Sequence, residues 1–137
     1  MDTANHATKK RFVEALFSDD WEALASTTHP DFELHEPDGL PYGGIWKGVD
    51  GFKACWEKIR QGTLDTEQLE TVRTYFADDE DHLVCLLHSC GKVRATGEPF
   101  DSLVYEQWEF KEGRVHRIRV YWFNLPHFGA NQLGEKP

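Results

Sequence analysis

Apolar positions in this chain recur at helical intervals near the front and at strand intervals behind. Phe12, Val13, Leu16 and Phe17 return every three to four residues with basic residues on the other face, which predicts a helix over 8–17 with Thr8 as its N-cap. Ser18-Asp19-Asp20 leads into a second short helix over 21–26. His29-Pro30-Asp31 ends the helical stretch, because the residue before a proline is pushed out of the α region. The period then drops to two over 32–36, with Phe32, Leu34 and Glu36 on one face and Glu33 and His35 on the other. After the Gly- and Pro-rich loop 37–44, Phe52, Cys55, Trp56 and Ile59 form the apolar stripe of a third helix over 49–60, stopped by Gln61-Gly62-Thr63. Strand composition follows over 68–76, 83–93, 100–110 and 115–123.

The last three strands are separated by Ala95-Thr96-Gly97-Glu98-Pro99 and Lys111-Glu112-Gly113-Arg114, each with a glycine where a tight reversal needs positive φ. Two consecutive antiparallel hairpins result. The predicted order is α-α-β-α-β-β-β-β, an α+β architecture in which a curved antiparallel sheet bends around a layer of three helices and encloses a cone. Val104, Glu106, Trp108 and Phe110 share a strand face, as do Val84, Leu86, His88 and Cys90. Glu106 is the polar member of an apolar set. A hairpin centred near Gly97 sets His88 opposite Glu106, and an imidazole beside a buried carboxylate suits general acid–base chemistry, the alternative being a structural hydrogen bond within the sheet. On the last strand either Ile118, Val120 and Trp122 or Arg117, Arg119 and Tyr121 face inward, depending on a bulge at Gly113. The first set is favoured, with Trp108 and Trp122 on the pocket wall and the arginines on the outer face toward a second subunit.

Composition narrows the partners. The 137 residues carry no repeat, which predicts one domain, 1–137, and 39% hydrophobic with 28% charged residues is the balance of a soluble globular protein. A net charge of −9 disfavours nucleic acid and anionic membranes. No apolar run matches a membrane span, and residues 1–6 lack a signal-peptide pattern. Cys55, Cys85 and Cys90 are odd in number and without metal-ligand spacing, which points to a reducing cytoplasm. The acidic turn 77–81 lacks the ligand spacing of a calcium loop, and no histidine pair has metal-binding spacing backed by a carboxylate. No metal and no cofactor are expected.

Three motifs carry a family resemblance: His29-Pro30-Asp31-Phe32; Leu40-Pro41-Tyr42-Gly43-Gly44 with Trp46-Lys47-Gly48; and Trp108-Glu109-Phe110 with Glu112-Gly113-Arg114-Val115. They resemble the SnoaL-like branch of the nuclear transport factor 2-like superfamily, with its polyketide cyclases and ketosteroid isomerase-like proteins and its cystatin-like α+β barrel. Asp78-Asp79 with His82, Gly91-Lys92, Phe123-Asn124-Leu125-Pro126 and Leu133-Gly134 are similar to the A/B proteins of phenazine biosynthesis. The resemblance implies a deep, largely apolar pocket for a small cyclic substrate, with Tyr42 and Trp46 at its entrance. It also implies an acid on the last strand at the position held here by Val120, or by Tyr121 if the register shifts by one. The epoxide-hydrolysing relatives place an Arg and an Asp where Leu86 and His88 stand, and the phenazine relatives a His where Cys55 stands.

The expectation is therefore a cytoplasmic homodimer that binds a small apolar cyclic metabolite. Its cofactor-free isomerisation, dehydration or cyclisation would rest on Glu106 with His88, and Tyr42, Trp46, Leu86, Trp108, Val120 and Trp122 would contact the substrate. A non-catalytic binding or assembly protein of the same fold is the rival, favoured by Val120.

Overall fold

The computed structural model describes residues 3–123. His127 and the Asn124-Leu125-Pro126 and Leu133-Gly134 motifs lie outside the described residues. Helix α1 (Ala4–Phe17) begins earlier than the periodicity suggests, because Thr3 is its cap and accepts the His6 N–H on its hydroxyl at 3.0 Å. Thr8 lies inside the helix and donates its hydroxyl to the Ala4 carbonyl at 3.1 Å. The buried stripe of α1 is Thr8, Lys9, Phe12, Ala15 and Leu16, so one of the basic residues expected on the outer face points into the protein. Asp20 caps α2 (Trp21–Ser26) by accepting the Ala23 N–H at 3.0 Å.

Strand β1 (Thr28–Glu36) pairs with β2 (Gly44–Lys47), a short strand that the sequence pattern left as a lead-in to the third helix. Helix α3 (Gly48–Glu57) continues into a π-helical turn, Lys58–Thr63. Strand β3 (Leu64–Phe76) then starts at Leu64 rather than Gln68. Strands β4 (His82–Val93), β5 (Pro99–Lys111) and β6 (Arg114–Trp122) form the expected meander. The sheet order is β2-β1-β6-β5-β4-β3. All neighbours run antiparallel except β1 and β6, which are parallel, so the sheet is mixed. The fold is α+β, three helices lying inside a curved six-stranded sheet in the manner of a nuclear transport factor 2-like cone.

The β4–β5 hairpin pairs Lys92 with Pro99, which centres its turn between Ala95 and Thr96 and ahead of Gly97. The shift is an odd number of residues, so it moves the partners and exchanges the faces. Glu106 faces Cys85, and His88 pairs with Leu103. Between β5 and β6, Glu109 pairs with Arg117 and Phe110 with Val115, leaving His116 as a bulge. Val115 and Ile118 are consequently both buried, Ile118, Val120 and Trp122 face the helices, and Arg117 and Arg119 lie outside. There Glu109 accepts from Arg117 at 3.0 Å and Arg119 at 3.1 Å, and Arg117 also reaches Glu33 at 3.4 Å.

The helices are pinned to the sheet by rings. Phe12, 1% exposed, meets Phe52 at 5.2 Å and Trp108 at 5.3 Å edge-to-face, and lies 6.3 Å from Phe32.

Gly91 lies where β4 passes the irregularity in β3 between Thr66 and Gln68, and any Cβ there would drive into the Asp65 carbonyl. Gly91→Ala is expected to destabilise the protein by about 1–3 kcal/mol, the usual cost of overpacking, read as a lowered urea midpoint at unchanged m-value.

Candidate functional site

Alternation turns three groups of side chains toward the helical layer from neighbouring strands: Leu34 and Glu36 from β1; Ile118, Val120 and Trp122 from β6; Val104, Glu106 and Trp108 from β5. Lys9, Phe12, Val13 and Leu16 of α1 oppose them. Trp56 and Ile59, at and after the end of α3, close the side nearest β3. The cavity, partly open to solvent, measures about 460 Å³, within the range of small-molecule sites.

Six charged side chains line the cavity: Arg60, Glu67 and Glu70 are exposed to solvent, whereas Glu36, Glu106 and Lys9 are set into its wall. Glu36, the last residue of β1, accepts the Trp122 indole N–H at 3.3 Å. Its pKa is raised to about 8, chiefly because burial penalises the charged form; the indole bond opposes this and the charge of Glu106 adds to it. Glu106 accepts the Trp108 indole N–H at 3.2 Å. What surface it keeps opens onto the cavity, and its pKa is also raised by burial, with the indole bond and Lys9 pulling it down. Lys9 is 5% exposed and sets its Nζ 5.4 Å from the centre of the Trp108 ring. Glu36 and Lys9 both escaped the sequence reading, yet each carries a signal. Glu36 shares a strand face with Phe32 and Leu34, just as Glu106 interrupts Val104, Trp108 and Phe110, and Lys9 lies one turn before Phe12.

Four of the expected site residues come together on the wall: Glu106, Trp108, Val120 and Trp122. Val120 is the cross-strand neighbour of Glu106. The other four do not join them. His88 is on the outer face, 2.7 Å from Asp101 and 3.6 Å from Glu70, and the hydrogen bond to Asp101 raises its pKa first. The pairing of His88 with Glu106 does not form, for the odd hairpin shift described above. Leu86 follows it outward and pairs with Tyr105. Tyr42 is fully buried beneath the 37–44 loop and is not on the cavity wall, while Trp46 turns its indole N–H back onto the Tyr42 carbonyl at 2.9 Å. Leu40 and Tyr42 of that loop pack into the core, and none of its residues is on the cavity wall.

Buried Cys55 and Cys85 have thiol pKa values pushed up by desolvation, which makes them poor nucleophiles. Among the described residues no three His, Cys, Asp or Glu side chains converge to hold a metal ion, and no helix is long and apolar enough to cross a membrane. Two carboxyls in one cavity, one of them protonated near neutral pH, can donate a proton at one point of a ligand and accept one at another when the second is ionised.

A helix-lined cone around a cavity with a few polar groups defines a fold class of small ligand-accommodating α+β domains. The chain belongs to the SnoaL-like domain family of the nuclear transport factor 2-like superfamily, whose family model matches residues 10–118. No curated protein sequence matches the chain. Its fold is shared with an NTF2-like protein of Burkholderia xenovorans at 19% identity and TM-score 0.78, covering 94% of this chain and 95% of that one. TerC, solved after co-crystallisation with polyporic acid, is similar at 18% identity and TM-score 0.75, covering 97% and 100%. A Mycobacterium tuberculosis protein in complex with estradiol-17β-hemisuccinate is similar at 12% identity and TM-score 0.67, covering 89% and 95%.

Glu36 links stability to pH. The unfolded chain releases its proton near 4.5, whereas the folded chain holds it to about 8, so folded-state stability falls as pH rises through that window. Glu36→Gln is expected to flatten this decline, gaining on the order of 3–5 kcal/mol over wild type by its upper end, at about 1.4 kcal/mol per pKa unit. Urea unfolding at successive pH values reads it directly.

Proposed function

We propose that the cone binds a small, apolar, ring-shaped metabolite and performs cofactor-free acid–base chemistry on it, an isomerisation, dehydration or cyclisation. Glu106 is the base and Glu36 the acid. One observation carries the reading: two desolvated carboxyls from different strands share one cavity, each held by a tryptophan N–H. Desolvated charge is expensive to keep, and the α1, β1, β5 and β6 sides of the wall around it are otherwise rings and aliphatic chains. In such a site Glu106 removes a proton from an activated C–H while Glu36 donates one to the carbonyl or hydroxyl oxygen. Returning the proton to a different carbon completes an isomerisation, and losing the protonated hydroxyl as water completes a dehydration. The co-crystallisation of TerC with polyporic acid and the complex of the mycobacterial protein with estradiol-17β-hemisuccinate, both ring compounds, support the ligand class.

Val120 occupies the position at which the family resemblance expects an acid, which favours the second reading, a binding protein without catalysis. Against it, Glu106 stands directly across from Val120 and supplies a carboxyl from the adjacent strand. The same proposal includes a single-domain protein of the cytoplasm that dimerises through the outer face of the sheet. Leu103, Tyr105 and Tyr121 there remain 45%, 44% and 53% exposed.

Native mass spectrometry of the freshly purified protein, followed by denaturation, is expected to give a dimer releasing a small ring compound. With that compound as substrate, Glu106→Gln and Glu36→Gln should each lower turnover by about 10²–10⁴-fold, the usual worth of a general acid or base. His88→Ala should stay within a few-fold of wild type. Undiminished turnover in both glutamine variants would overturn the acid–base reading, and an obligate monomer would overturn the dimer.

A further inference from the structure

Lys9 is left over once the two carboxyls have been assigned. Its place on α1 is one that Leu or Met could fill for packing, one turn ahead of Phe12 in the stripe that ends at Leu16. A buried ammonium in that stripe costs free energy unless a negative group compensates it. The compensation is local. The Nζ lies over the face of Trp108 at 5.4 Å, while the indole N–H of the same ring donates to Glu106 at 3.2 Å. The cross-strand partner of Glu106, Cys85, also hydrogen-bonds to Lys9 through its side chain. Lys9, Trp108, Cys85 and Glu106 thus form one cluster drawn from α1, β5 and β4. Glu36, on β1 with only β6 between it and β5, has different neighbours: the Trp122 N–H, the buried thiol of Cys55 on α3, and the negative charge of Glu106.

We propose that Lys9 is the internal counter-ion of the site: it holds Glu106 as the ionised carboxylate and so decides which buried carboxyl is base and which is acid. This rests on the acid–base reading above and adds a positioning residue to it. Two carboxyls in one cavity resist ionising together. Lys9 favours ionisation of the one on its own side. Lys9 and Glu106 then offset one another, one ammonium against one carboxylate with Glu36 protonated, while Arg60, Glu67 and Glu70, which also line the cavity, are exposed to solvent.

The proposal predicts how many buried carboxyls are protonated at neutral pH, and this can be counted without any substrate. In D₂O at pH 7, infrared spectroscopy of the folded protein resolves the C=O stretch of protonated buried carboxylic acids apart from ionised carboxylates. Wild type is expected to show one such band, abolished by Glu36→Gln and kept by Glu106→Gln. Lys9→Met should gain a second band, which Glu106→Gln in the same background removes, whereas Lys9→Arg should retain a single band. Lys9→Gln serves the same purpose if the methionine variant does not fold. With a substrate in hand, the ascending limb of the rate–pH profile should move to higher pH in Lys9→Met and return toward wild type in Lys9→Arg. A Lys9→Met spectrum with one band still present would overturn the role of Lys9 and leave the acid–base reading standing. A wild-type band that Glu106→Gln abolishes would instead overturn the assignment of acid and base.

Discussion

The edge-to-face packing of Phe12 against Phe52 and Trp108 is the joint on which this molecule depends. One ring ties α1 to α3 and both to the sheet. The space left beside it, between α1, the end of α3 and the inner strand faces, is the cavity. Trp108 does three things at once: it packs on Phe12, offers its face to Lys9, and binds Glu106 through its N–H. Packing and site chemistry therefore share an anchor.

Charge is distributed very differently on the two faces of the sheet. Outside, Glu109 gathers Arg117 and Arg119, with His82 at 3.4 Å, and its pKa is lowered by these partners despite partial burial. Such half-exposed pairs are screened by solvent and contribute modestly. Inside, Glu36 and Glu106 are desolvated, so the charges near them act strongly, while Arg60, Glu67 and Glu70 on the same cavity stay exposed. Ionising Glu36 costs more because Glu106 is there, and ionising Glu106 costs less because Lys9 is there. A wall of aliphatic and aromatic side chains magnifies small differences in placement into different protonation states.

The helices, the strands of the C-terminal meander and the cone were legible in the sequence because each rests on a short-range period. Phe12, Val13 and Leu16 can share a helix face at one spacing only, and Val104, Glu106, Trp108 and Phe110 share a strand face whatever the strand pairs with. Glu106 was visible for the same reason, as the polar exception in an apolar set. Trp108, Val120 and Trp122 followed once the alternation of β6 was chosen. The strand β2 was not visible, being four residues long and flanked by glycine-rich loop.

Pairing across strands was beyond the sequence, since it depends on where a turn closes. Moving the β4–β5 turn ahead of Gly97 by an odd offset sent His88 and Leu86 to the outer face and put Cys85 opposite Glu106. Nothing local to either strand encodes that offset; it is settled by how the whole sheet packs on the helices. Lys9 and Glu36 belong to the same category. Their types argue for the surface, and only the assembled cone, which surrounds both and offers each a partner, makes burial tolerable. Local periodicity thus determined the elements and their faces, whereas the tertiary structure decided which faces meet and which ionisable groups share one cavity, because register and desolvation arise only between elements already in contact.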